Sequence, residues 1–229
     1  MLLAEILEKH SRHFAPVVKF APGTDKVVGI NLTSGNSELS DDIISDIHLF
    51  EEFINRHLQV NDATFAIGGY LENRDLYRRS EVFDGIGMQE PRRIHVGMDI
   101  WGKAGTAIYA PLTGVVHSTA YNDVKGDYGA TIILKHVLDG CVFHTLYGHL
   151  MKSDLVLKEG DTIQAGDILA HFGNHHENGF WPPHLHFQVI EDMEGKKGDY
   201  PGVCSKSTKP HYERNCLNPD LILRLNQFI

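Results

Sequence analysis

The sequence predicts a mainly β protein of antiparallel type, a sandwich or partly open barrel, with a helical extension at its N-terminus. Helical periodicity is confined to about the first 60 residues, and short runs of β-type residues follow one another from residue 61 onwards. Gly, Pro, Asn and Asp separate these runs, as is typical between the strands of antiparallel sheets. We therefore divide the chain into a helical extension (1–60), a β-domain (61–200) and a C-terminal tail with a short helix (201–229).

Two helices are predicted in the extension. The first covers residues 2–14, where apolar residues recur at helical spacing until Pro16 ends the pattern. The second begins after Ser40, an N-cap residue followed by two aspartates that suit the positive end of a helix dipole, and it ends before Val60. Its apolar stripe predicts one continuous helix and consists of Ile43, Ile44, Ile47, Phe50, Phe53 and Ile54.

Six strands stand out in the β-domain. They are 94–100, 114–119, 131–137, 141–147, 167–172 and 184–190. Turn residues separate them at Pro111, Asp139-Gly140, Glu159-Gly160 and Ala165-Gly166. In the tail, a short helix is expected after Asn218-Pro219.

Composition excludes several classes of partner. The net charge of the 229-residue chain is −9 with histidines neutral, whereas nucleic-acid binding needs clustered Lys and Arg. No apolar run is long enough to span a bilayer. Segment 1–14 does not resemble a secretory signal, so we expect a cytoplasmic protein, the alternative being export by a route that the sequence does not reveal. The oligomeric state and the pairing of Cys204 with Cys216 are left open.

The first candidate metal-binding motif is His95-Val96-Gly97-Met98-Asp99. Its apolar flanks favour a strand, in which His95 and Asp99 point to the same face with Gly97 between them. Since glycine has no side chain, we expect this gap to leave room for an ion.

Two further motifs supply histidines. His184 and His186 share one face of a predicted strand, which is a suitable way to present two imidazole nitrogens. His149 lies at the end of another predicted strand, where a turn can direct it into a cleft.

His95, Asp99 and His186 together form a ligand set of two nitrogens and one oxygen. This set suits Zn²⁺ and leaves a fourth position for water, which is the pattern of catalytic zinc sites. Zinc lowers the pKa of its water and polarises a carbonyl, while further histidines can transfer protons. The sequence therefore predicts one catalytic zinc ion per chain.

The ordered motifs resemble the M23 metallopeptidases of the lysostaphin and LytM type. They are His-x-x-x-Asp at 95–99, Tyr-x-His-Leu at 147–150 and Pro-His-Leu-His-Phe at 183–187. Glycine-containing segments at 105–116 and 157–170 agree, and the resemblance covers about residues 65–192. The chain also resembles M23-like domains that are fused to kinase and aminotransferase domains.

The resemblance implies a role for each matching residue. His95, Asp99 and His186 match the zinc ligands of the family, and His149 and His184 match its two catalytic histidines. The implied fold is an antiparallel β-structure with an open groove.

The resemblance also implies an activity and a substrate class. The family cuts peptide bonds, typically in peptidoglycan and often next to glycine, which makes this chain a predicted zinc metalloendopeptidase. Arg74, in a segment that begins at Gly68 and resembles the family's glycine-arginine stretch, and Tyr147 are expected to contact the substrate.

Two other function classes remain open. One is a metal-binding M23-like domain that is not a peptidase and recognises a ligand or regulates a partner. The other is a carrier or phosphotransfer domain, against which the complete His/Asp/His set argues, because such domains need no carboxylate beside the histidine.

The N-terminal extension has two possible roles, a cap on the β-domain or an inhibitory segment over the groove. In latent members of the family a side chain fills the fourth zinc position. The candidates here are Asn61, Glu72 and Asn73.

Overall fold

The computed structural model describes residues 2–21, 23–80, 82–84 and 90–229, and strands dominate this part of the chain. The helices are α1 (Leu3–His10), α2 (Asp41–Ser45), α3 (Ile47–Val60), α4 (Lys209–Asn215) and α5 (Asp220–Leu223). The strands are β1 (Val27–Gly29), β2 (Phe65–Gly68), β3 (Ile94–His95), β4 (Met98–Trp101), β5 (Ala107–Tyr109), β6 (Gly114–Asn122), β7 (Gly129–Leu138), β8 (Cys141–Leu150), β9 (Thr162–Ile163), β10 (Ile168–His171), β11 (His184–Ile190), β12 (Val203–Cys204) and β13 (Cys216–Leu217). Short 3₁₀ helices cover Ser11–His13, Asp75–Arg79, Lys152–Asp154 and Asn226–Phe228.

One large sheet organises the fold. Its strand order is β1-β2-β4-β11-β8-β7-β6-β9, and β13 pairs with β11 beside this path. All of its pairs are antiparallel except β1 with β2. Two small sheets, β10-β5 and β12-β3, flank it, and no closed barrel forms among the described residues. The predicted mainly β fold is confirmed, as an open and mixed sheet.

The central strands are buried on both faces. Leu185 and Phe187 of β11 belong to the main core, as do alternate residues of β7 and β8. Because side chains alternate along a strand, His184 and His186 project from the opposite face. The main core also includes residues from both ends of the chain: Leu3, Leu7, Ile222, Leu223 and Leu225. The division into three segments stays a prediction.

The second predicted helix is in fact two helices. Residues 41–45 form α2, and α3 begins at Ile47 after a break at Asp46. Asp46 has an extended backbone, and its Oδ1 accepts hydrogen bonds from the backbone N–H groups of His48 (2.7 Å) and Leu49 (3.2 Å). An internal N-cap therefore overrides the continuous apolar stripe. The helix also runs through Val60 instead of ending before it.

The predicted strand at 94–100 is also divided. β3 pairs with β12, whereas β4 pairs with β2 and β11 in the large sheet. Between them the Val96 N–H donates to Gly202 O at 2.9 Å, so the chain leaves one sheet and enters the other. The assumption of a single strand face for residues 95, 97 and 99 is therefore wrong.

The other five predicted strands are confirmed with small shifts at their ends, as are the first helix and the short helix of the tail. The turn between β7 and β8 is the predicted Asp139-Gly140, where both residues have positive φ (49° and 81°), as a two-residue hairpin requires. Among the described residues, none of the helices has the length and hydropathy that a bilayer-spanning segment needs. All three cysteines are free thiols.

Candidate metal centre

Three side chains meet on the face of the large sheet opposite the main core. His95 ends β3, Asp99 lies in β4, and His186 pairs with Asp99 across the β4–β11 ladder. His95 Nε2 is 2.9 Å from His186 Nδ1, while Asp99 Oδ1 is 3.2 Å from the first atom and 3.0 Å from the second. The exposed fractions are 1%, 2% and 3% for His95, Asp99 and His186. The three predicted ligands therefore form one buried cluster.

Gly97 is needed for this convergence, but not in the way that the sequence suggested. A Cβ atom on Gly97 would lie 2.6 Å from two atoms of the His186 ring. The imidazole of His186, a candidate ligand, thus fills the space beside Gly97. That space is not left open for the ion. His95 and Asp99 still converge because the chain turns at Val96-Gly97.

Hydrogen bonds on the far side of each ring orient the two histidines of the cluster. His95 Nδ1 is 3.1 Å from Gly69 O, and His186 Nε2 is 3.0 Å from Gln188 Oε1. We assign the ring hydrogens to these atoms because both partners are acceptors. His95 Nε2 and His186 Nδ1 then carry lone pairs, and both face Asp99 Oδ1.

The other two predicted histidines lie beside the cluster and are oriented in the same way. His184 Nδ1 is 2.7 Å from Pro182 O, and His149 Nδ1 is 2.7 Å from Asn178 O. Each of these rings therefore leaves Nε2 as an acceptor. The His184 and His149 ring centroids are 4.2 Å apart, and His184 Nε2 is 3.9 Å from Asp99 Oδ1. The structure thus gathers all five of these predicted residues.

Tyr147 does not reach this site. Simple strand alternation would place Tyr147 and His149 on one face, but the pairing of β7 with β8 shifts register here, and His149 has a positive φ of 63°. This bulge turns His149 towards the cluster and leaves Tyr147 on the side of the main core, 0% exposed and in contact with Phe187. In the structure, Tyr147 accepts a hydrogen bond from Thr145 Oγ1 at 3.0 Å and lies away from the candidate substrate cleft.

Arg74 is buried behind the cluster, with an exposed fraction of 1%. Its Nη1 donates to Asp99 Oδ2 at 2.5 Å, and its Nε donates to Glu72 Oε2 at 2.8 Å. Arg74 contributes to the wall of the cleft; Nη1 and Nε are directed at carboxylates of the protein itself, and Nη2 is buried without a hydrogen-bond partner among the described residues.

The electrostatics favour the charge states that metal binding requires. Burial lowers the pKa of His95 and of His184 to about 4, and Arg74 adds to the effect at His95. Burial, with His184 beside it, holds the pKa of His149 well below its usual range. Burial alone would raise the pKa of Asp99, but His95 and Arg74 hold it well below the usual value. Around neutral pH these three imidazoles are neutral and Asp99 is ionised.

The cluster opens into a cleft of about 110 Å³. Its walls include aromatic rings, two aspartates and an arginine: Tyr77, Phe83, Trp101, Trp181, Asp127, Asp199 and Arg92. Trp101 stacks on the His184 ring with centroids 3.9 Å apart. The cleft therefore combines an apolar wall with the polar groups at its base.

Two residues that support His186 were missed by sequence reasoning. Gln188 binds the His186 ring, and the Tyr128 hydroxyl donates to Gln188 Oε1 at 2.8 Å. The position of Gln188, two residues after His186 on the same strand face, is a signal that identifies it. Tyr128 carries no comparable signal, because its contact depends on how distant strands pack.

The three candidates for a fourth, inhibitory ligand have other contacts. The Asn61 side chain donates to His57 O, and the Asn73 side chain donates to Ser34 Oγ. Glu72 binds Arg74 instead of the cluster.

The cluster fits a zinc ion. Two atoms that each bind one ion at about 2.1 Å cannot lie more than about 4.2 Å apart, and the three donor pairs here are 2.9–3.2 Å apart. The three atoms that face one another are all acceptors, because the ring hydrogens of His95 and His186 point away and the Asp99 carboxylate carries none. A cation between these atoms would relieve their repulsion. Among the described residues, these three form the set whose donor atoms all lie within 4.8 Å of one another.

Comparison with known proteins identifies relatives of this part of the chain. Residues 93–199 match the model of Peptidase family M23. The endolysin 2638A of Staphylococcus phage 2638A is 28% identical over 127 residues, which is 54% of this chain and 24% of that protein. The peptidoglycan DD-endopeptidase ShyC of Vibrio cholerae is 28% identical over 98 residues, which is 43% of this chain and 20% of that protein.

The chain thus spans a quarter or less of the length of these curated relatives. Among solved structures, a zinc containing peptidase from Vibrio cholerae is 28% identical, with 42% of this chain and 27% of that chain covered and a TM-score of 0.34. The segment that matches the family model holds His95, Asp99, His149, His184 and His186. Through this segment the chain is similar to peptidase family M23.

Proposed function

We propose that this chain is a zinc-dependent endopeptidase that hydrolyses peptide bonds in peptidoglycan-type or glycine-containing peptides. The proposal rests on one observation: a set of metal-ligand candidates and a set of proton acceptors lie side by side at the base of one cleft. His95, Asp99 and His186 offer three ligand atoms, and His149 and His184 stand beside them as uncharged acceptors.

The first set would hold the metal. Zinc at His95, Asp99 and His186 would supply a Lewis acid that acidifies water and polarises the scissile carbonyl. The protein's contribution is to keep the His95 imidazole neutral, to keep the Asp99 carboxylate ionised and to fix all three ligands in place by hydrogen bonds.

The second set would move protons. With their N–H groups bound to Pro182 O and Asn178 O, His184 and His149 each present a free Nε2 towards the cleft. One of them accepts the proton of the attacking water, and the protonated ring can then donate to the leaving amine. The other ring also presents Nε2 as an acceptor, so it would hydrogen-bond to the developing oxyanion only after taking up a proton from solvent.

The substrate class rests on the relatives. One is an endolysin and the other a peptidoglycan DD-endopeptidase, so both names point to the peptides of bacterial cell walls. The chain is acidic, and we expect it in the cytoplasm. The substrates to be tested therefore include soluble wall fragments as well as intact wall.

The direct test is incubation with glycine-rich peptides and with peptidoglycan fragments, with and without a chelator, read by mass spectrometry. We expect cleavage that the chelator abolishes. His186→Ala should lose both zinc and activity, whereas His184→Ala should keep zinc and lose activity. His117→Ala, which alters a histidine outside the cleft, serves as the matched control.

Two outcomes contradict the proposal in different ways. Full activity of His184→Ala rejects its catalytic role. A zinc-loaded wild-type protein that cleaves none of these substrates favours the metal-binding domain without peptidase activity, while the absence of near-stoichiometric zinc favours the carrier interpretation.

A further inference from the structure

We infer that Arg74 is a positioning residue that fixes Asp99 as a one-oxygen metal ligand, and that it does not bind substrate. The inference rests on the metal-binding part of the proposed function and is independent of peptide hydrolysis. It replaces the substrate contact that the sequence suggested for Arg74. Arg74 also lies outside the segment that matches the family model, which begins at residue 93.

The two oxygens of Asp99 have different partners. Oδ2 accepts from Arg74 Nη1 at 2.5 Å. Oδ1 faces His186 Nδ1 at 3.0 Å and His95 Nε2 at 3.2 Å. The guanidinium therefore occupies one oxygen and leaves the other for the ion, so the carboxylate cannot rotate without losing a buried, charge-assisted hydrogen bond.

Glu72 completes this arrangement. Its carboxylate accepts from Arg74 Nε at 2.8 Å, which places the guanidinium between two carboxylates. Because Glu72 balances the charge of Arg74, the pair can hold Asp99 without cancelling the negative charge that Asp99 offers to a cation. Such hydrogen-bond partners behind a metal ligand orient it and tune its affinity.

The surroundings of Arg74 hold its guanidinium in place, and Nη2 is buried with the rest of the side chain although it has no hydrogen-bond partner among the described residues. Its exposed fraction is 1%, and a Cβ atom on Gly68 would lie 2.7 Å from Nη2. Gly68 also pairs with Asp99 across the β2–β4 ladder. Strand β2 thus supplies a glycine at a position where a side chain would push the guanidinium away from Asp99.

The test compares metal binding by Arg74→Met and by the wild-type protein. We measure the Kd for Zn²⁺ by competition with a chromophoric chelator, and the visible absorption spectrum of the Co²⁺-substituted protein, which reports ligand geometry. Arg74→Met should weaken Zn²⁺ binding by roughly 10- to 100-fold and change the Co²⁺ spectrum. Arg78→Met, at an exposed arginine that is ion-paired with Asp75, is the matched control and should change neither.

Two milder variants keep the test decisive if Arg74→Met does not fold. Arg74→Lys retains the charge but not the fork that reaches both carboxylates, so Zn²⁺ affinity should fall less than in Arg74→Met. Gly68→Ala keeps the arginine and pushes against Nη2, and it should also change the Co²⁺ spectrum.

The inference is overturned if the folded variants bind Zn²⁺ with wild-type affinity and an unchanged Co²⁺ spectrum. A raised KM for peptide with unaltered metal binding would assign Arg74 to the substrate instead. Failure of the proposed peptidase function has a separate signature, which is a wild-type protein that binds zinc and cleaves nothing.

Discussion

Two groups of histidines among the β-strands differ in what they can bind. One is the metal cluster with its two neighbours, and the other, the distal histidine group, consists of His117, His136 and His144. In the distal group the His117 and His144 rings are 5.0 Å apart, and both ring nitrogens of His136 are hydrogen-bonded inside the protein, to Thr113 O (3.0 Å) and Thr145 Oγ1 (2.8 Å). Histidine density alone therefore does not make a metal site. The metal cluster differs because it contains a buried carboxylate, Asp99, and because the free ring nitrogens of its histidines face that carboxylate.

The largest expected effect is loss of zinc when that carboxylate is altered. Asp99→Asn keeps the shape but removes the charge of the ligand and leaves one oxygen to serve both Arg74 and the ion. Zinc affinity should fall by more than the roughly 100-fold that loss of a supporting hydrogen bond costs. His144→Gln in the distal group is the control, and circular dichroism confirms folding. Zinc binding by Asp99→Asn at wild-type affinity would remove the distinction between the two groups.

A smaller effect is expected from filling the space beside Gly97. Gly97→Ala places a methyl group 2.6 Å from the His186 ring, so we expect about 1–3 kcal/mol lower stability and weaker zinc binding. Urea unfolding and zinc titration measure the two. Gly35→Ala, where the nearest atom is 3.7 Å away, should be close to neutral. An equal response of both variants would contradict the close packing of His186 on Gly97.

The distal group should also respond to acid. Burial lowers the pKa of His136 to about 4, below the value of about 6.5 in an unfolded chain. The unfolded state therefore binds more protons between these values, and stability falls as the pH decreases from about 6.5 to about 4. His136→Gln in the metal-free protein should flatten this dependence by up to about 1.4 kcal/mol per pH unit, measured by urea unfolding at several pH values. An unchanged slope would show that His136 does not contribute.

The smallest effect is expected at His144, whose Nδ1 is buried without a hydrogen-bond partner in the described structure. His144→Gln removes no hydrogen bond from that atom, so stability should change by about 1 kcal/mol or less and zinc affinity should stay the same. Thermal unfolding and zinc titration test this. A loss of zinc here would mean that the distal group is coupled to the cluster.

The site could be predicted from the sequence better than the backbone that carries it. The ligand candidates His95, Asp99 and His186 do come together, although the strand-face argument that paired the first two assumed a strand that the chain breaks at Val96-Gly97. The β7–β8 hairpin could be predicted because its turn chemistry is local. Strands of two to four residues, such as β3 and β12, are too short to show a period.

Contacts between distant segments account for most of the errors. Tyr147 lies on the side of the main core instead of the groove, because a shift of register that is set by the neighbouring strand turns only His149 towards the cluster. Glu72 binds Arg74 instead of the cluster, and Arg74 is itself held by Asp99, which lies 25 residues further along the chain. Neither result follows from spacing, because each depends on which residues lie opposite one another after folding.

The pairing of β4 with β11 has a consequence for how the protein is made. His95 and His186 are 91 residues apart in the chain, and Asp99 and His186 are 87 apart. Such contacts form only after a long loop has closed, which makes them late and slow events in folding. During synthesis, the first two ligands leave the ribosome well before the third. Capture of zinc at the full site therefore reports that β11 has paired with β4, and it can serve as a kinetic signal for this step of assembly.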